Sequence, residues 1–134
     1  MRTASMTDEE FIAGVEQCTL PPDAFHHAAH VHLAWLYLRR MGPLDALARF
    51  TTVLQRFAVS HGKADRYHET ITWAYLLLIH ERIRRDPAES WDDFVAANRD
   101  LLRWNPSILD DYYRPETLSS PLARSIFVFP DATT

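Results

Sequence analysis

Between Ala24 and His32 the chain reads AFHHAAHVH, which places four of its seven histidines within seven residues. Imidazole is both a common metal ligand and a proton carrier near neutral pH. On a helix, His27 and His30 stand three residues apart and share one side, and Ala34 and Tyr37 continue their row. His26, four residues before His30, is an alternative member of the pair, while His32 points outward. Further along, Arg66-Tyr67-His68-Glu69-Thr70 supplies another histidine next to a carboxylate. A set of His27, His30 and His68 would hold a divalent transition metal with one position open, the arrangement of a catalytic rather than a structural centre. Zinc, iron, copper, nickel and manganese all accept such ligands, and histidine alone does not choose among them. Glu69 would then be a further ligand, a general base on metal-bound water, or a partner orienting an imidazole. Tyr67 is the second catalytic candidate, as a pocket wall and hydrogen-bond donor.

These residues must be brought together by helices. Thr7-Asp8-Glu9-Glu10 has capping-box spacing and opens a short first helix through Phe11, Ile12 and Val15, ended by Pro21-Pro22. A second helix is expected from about His26 to Arg40, with Gly42 as its left-handed C-terminal residue. Pro43 suits the first turn of a third, where Leu44, Leu47, Thr51, Leu54 and Ala58 recur at helical spacing until Gly62. The fourth, from near Asp65 to Arg85, is apolar almost all round and is expected at the centre. A fifth runs from Ser90 to Trp104, and an irregular segment follows, with a tail whose Phe127, Val128 and Phe129 pack on the bundle. Short connections make successive helices antiparallel. The starts of the second and fourth helices then share one end, and both helix dipoles disfavour imidazolium there.

The fold class is therefore all-α: a single domain over residues 1–134, a bundle of about five main helices with an irregular C-terminal segment. Three glycines are few for a fold of tight β turns, and 47% hydrophobic with 24% charged residues is an ordinary globular composition. A net charge of −4 with scattered basic residues gives no nucleic-acid footprint. No apolar run is long enough to cross a bilayer, and MRTASMTDEE lacks the apolar core of a signal peptide. Cys18 is the single cysteine, so no internal disulfide forms and the cytoplasm is the expected compartment. The chain has no HExxH, no paired Glu-x-x-His motifs, no phosphate loop and no nucleophile elbow. His80-Glu81, late in the fourth helix, reads as surface or interface at the far end from the histidines. Asp110 or Asp111 could complete a coordination sphere but more commonly would form a solvated turn, and Arg114 and Arg124 could receive an anion.

Phe25-His26-His27-Ala28-Ala29-His30-Val31 with Leu33-Ala34-Trp35, then Tyr67-His68-Glu69-Thr70-Ile71-Thr72, resembles the F-x-H-x-x-H and Y-H-E-T motifs of a family of small, uncharacterised bacterial helical proteins. The similarity continues through Tyr112-Tyr113, Ser120-Pro121, Ala123-Arg124 and Pro130-Asp131. It implies no activity, but it selects His27, His30, His68 and Glu69 as the motif residues. Two expectations result. The first is a small metal-dependent enzyme acting on a small molecule. The alternative is a non-catalytic helical module that binds a small molecule or partner protein through a metal-free polar pocket. A homodimer with incidental histidines is a third arrangement.

Overall fold

A computed structural model describes residues 6–132. Helix α1 (Asp8–Glu16) opens with the capping box. The Thr7 hydroxyl accepts from the Glu10 amide at 3.1 Å, and Glu10 returns a bond to the Thr7 amide at 2.9 Å. Helices α2 (His27–Arg40), α3 (Pro43–Ser60) and α4 (Glu69–Arg85) form the body of the bundle. Each of these three packs against the other two. Helix α3 begins at Pro43, as the fixed proline φ favours. Gly62 closes α3 with a φ of 70°, a left-handed conformation that glycine adopts without strain. Gly42 differs from expectation: its φ of −67° and ψ of 165° are extended, and it caps the start of α3 rather than the end of α2.

Residues 64–66 form a 3-10 turn, so α4 starts four residues later than the apolar pattern suggests. The expected fifth helix is two pieces, α5 (Trp91–Ala97) and α6 (Arg99–Leu102). Asn98 causes the break. Its side-chain amide donates to the Phe94 carbonyl at 2.9 Å and its oxygen accepts from Arg82, so the side chain competes with the helical ladder. After a 3-10 turn at Ile108–Asp111 come two short helices, α7 (Pro115–Leu118) and α8 (Pro121–Ser125). The last described residues run extended across α4.

The core is continuous from Val15 through Leu33, Phe50, Leu76 and Ile79 to Phe94, Leu101 and Tyr113. Tyr37, buried in it, donates to Glu16 at 2.5 Å and ties α2 to α1. No helix among the described residues is long and apolar enough to cross a membrane.

Candidate functional site

His68 is buried, 6% exposed, and stands at the N-cap of α4. Its Nδ1 accepts from the Ile71 amide at 3.1 Å, while Nε2 lies 2.7 Å from the Leu118 carbonyl. A backbone amide only donates and a carbonyl only accepts, so Nδ1 carries the lone pair and Nε2 the proton. The lone pair is spent on the helix cap, and none remains for a metal. Burial holds the pKa of His68 below its ordinary value, and the charge of Arg124 lowers it further. His68 therefore ties the start of α4 to the end of α7.

His27 is differently engaged. Its Nε2 donates to the Leu101 carbonyl at 2.8 Å, and its ring lies 4.8 Å from both Tyr75 and Trp104. Tyr75 follows His68 by seven residues, about 10 Å along α4 at 1.5 Å per residue. The first turn of α2 thus lies level with the second or third turn of α4. Antiparallel topology brings the two helix starts to one end of the bundle, but this axial offset separates the histidines within it.

His30 packs edge-on against Phe25 at 4.1 Å. Its pKa is lowered to about 4, first by burial and then by repulsion from His27 and His26. His32, expected to face outward, is stacked between Phe11 at 5.2 Å and Trp91 at 4.3 Å. The aromatic sandwich joins α1, α2 and α5. Its Nε2 is 3.8 Å from Asp8, and burial lowers its pKa against the pull of Asp8 and Asp92.

These placements correct the metal-centre expectation. The described residues contain no group of three or more His, Cys, Asp or Glu side chains able to hold a metal ion. The histidine cluster of His27, His30 and His68 does not form as a ligand set. The divalent transition metal, whether zinc, iron, copper, nickel or manganese, and the metal-dependent enzyme built on it lose their basis. Glu69 as base on a metal-bound water loses its basis with them. Tyr67 instead donates to Glu69 at 2.5 Å, and burial followed by this bond raises the phenol's pKa. Asp111 pairs with Arg103 at 3.3 Å, and Arg114 with Glu116 at 2.8 Å. Arg124 donates to the Asp65 carbonyl at 2.7 Å and clamps α8 to the loop before α4.

Concave surface occurs elsewhere. A groove of about 490 Å³ runs between α4 and the C-terminal segment. Buried Ala74, Leu109 and Tyr113 form its floor, and Leu77, Tyr112 and Phe127 its sides. His80, Glu81 and Arg84 stand at the rim. The far wall is positioned by Thr70, whose hydroxyl donates to the Ile126 carbonyl at 2.7 Å and accepts from the Val128 amide at 3.1 Å. Tyr113 donates to the Val128 carbonyl at 2.7 Å, and Phe127 stacks on Trp73 at 5.2 Å. Phe129, expected to pack on the bundle, is instead 81% exposed.

A second groove, of about 520 Å³, lies between α1 and α3. Both of its arginines are already committed: Arg49 to Glu16 at 3.1 Å, and Arg56 to the Glu16 carbonyl at 2.8 Å. The α4 groove combines an apolar floor with polar groups that are less engaged. Sequence reasoning placed His80-Glu81 on the surface and missed Leu77, Arg84, Tyr112 and Phe127. The one available signal was an apolar helix nearly encircled by large side chains, which must show some of them on its outer side. No protein-family model, curated protein or solved structure matches this chain.

Proposed function

We propose that this chain is a non-catalytic helical module that binds a small molecule in the groove between α4 and the C-terminal segment, without a metal. The observation that carries the reading is the groove itself: about 490 Å³, mostly apolar in lining, with His80, Glu81, Arg84 and two tyrosines as its polar side chains. Small-molecule sites typically span about 300 to 1,000 Å³ and combine an apolar lining with a few orienting polar groups. The alternative expected from sequence is kept in kind but moved in place. The pocket is not the polar histidine end, where the imidazoles are tied to backbone carbonyls and aromatic rings.

The neutral fluorophore N-phenyl-1-naphthylamine tests this. Its emission should rise with the wild-type protein and fall back in Leu77→Asp, since Leu77 lines the groove and is 41% exposed. His27→Ala should leave the signal intact. A signal unchanged by Leu77→Asp, or no signal with the wild type, contradicts the groove as the binding site.

A further inference from the structure

The last turn of α4 contains three arginines, and their surroundings differ. Arg82 forms a two-pronged bond to Asp100 at 2.9 and 2.8 Å. Arg85 holds Glu81 through two nitrogens at 3.1 and 2.9 Å. Arg84 lines the groove and has no ion-pair partner among the described residues. Among the described residues, the charged groups lining the groove are therefore Glu81, held by Arg85, and Arg84, which has no such partner. The full charge of the Arg84 guanidinium, without an ion-pair partner among the described residues, outweighs the roughly half negative charge of the helix C-terminus.

From this arrangement we propose that the groove takes an amphipathic monocarboxylate: an aromatic or branched apolar body lying on Leu77, Tyr112 and Phe127, with its carboxylate held by Arg84. This rests on the binding-module reading and names the ligand class. The planar guanidinium matches a carboxylate with two parallel N–H donors. With Glu81 already held by Arg85, Arg84 offers one positive charge to a ligand, which a monoanion matches one to one. The apolar sides favour a ligand body that loses water on entry.

Isothermal titration with a matched pair of probes separates the two layers of the proposal. The acid is 4-phenylbutyrate and the neutral counterpart is 4-phenyl-1-butanol. The wild-type protein should bind the acid about fivefold more tightly than the alcohol, the scale of a solvent-facing ion pair. Arg84→Gln should level the two affinities, Arg84→Lys should restore part of the difference, and Leu77→Asp should abolish binding of both. Equal affinity of the wild type for acid and alcohol overturns the carboxylate assignment and leaves the groove as a site. A preference for the acid that persists in Arg84→Gln overturns Arg84 as the anchor. Binding of neither probe overturns both the ligand class and the groove.

Discussion

Four histidines, His27, His30, His32 and His68, have pKa values held below the ordinary imidazole range, with burial the largest cause in each. They are packing and capping groups that work in the neutral form. In the unfolded chain each takes a proton near pH 6.5. Below that pH the unfolded state binds more protons than the native state, so stability rises with pH there and falls as pH drops. We expect stability to decline from about pH 6.5 down to about 4, where His30 itself protonates. The His30 shift alone amounts to roughly 3 kcal/mol over that window. Urea denaturation at half-unit pH steps would show it, and a flat profile between pH 6.5 and 4.5 would contradict it. The sequence suggests neutral His27, His30 and His68 from the dipoles of their helix starts, whereas the largest cause in the structure is burial. Nor does the sequence show that a carbonyl fifty residues away, that of Leu118, engages His68, because that contact depends on where the irregular C-terminal segment returns.

Among the elements, the starts of α1, α3 and α5 were legible, while the C-terminal cap of α2 and the start of α4 were not. Thr7 and Ser90 each accept from an amide three residues on, and Pro43 sits in a first turn. Such signals are local and survive any tertiary arrangement. The break at Asn98 was not legible, since it depends on Arg82 from another helix as well as on the asparagine itself. The C-terminal segment was legible as an irregular stretch whose tail packs on the bundle, but not in its position. Its position is set by Thr70, a fully buried residue of α4 whose single hydroxyl serves both Ile126 and Val128. Thr70→Val keeps the shape and removes both bonds. It should destabilise the protein by about 1–2 kcal/mol. Hydrogen exchange at the Val128 amide should accelerate in the variant more than exchange in α2 or α3. Unchanged protection at Val128 would show that the segment is held by packing alone.

At the scale of the whole molecule, the sequence supports an all-α bundle, and the structure has that form. Helix α4 packs against α2, α3 and α8, but it is not buried all round as its apolar pattern suggests, since Leu77 is 41% exposed. The chemistry anticipated at one end was displaced by axial geometry. The helix starts share an end, yet His27 meets Tyr75 two turns into α4, and the histidines become ties between elements. The concave surface arises instead where the C-terminal segment leaves the outer side of α4 partly uncovered, with Leu77 and Arg84 facing it. Such a gap belongs to the assembled molecule and has no local sequence signature. The most direct test of this account is a proton–nitrogen NMR titration with 4-phenyl-1-butanol, which depends on the groove but not on its charge. The account predicts shift changes concentrated at Leu77, Leu78, Tyr112 and Phe127, with the imidazole signals of His27, His30 and His68 unmoved. Changes centred on those histidines, with the groove amides unmoved, would contradict it.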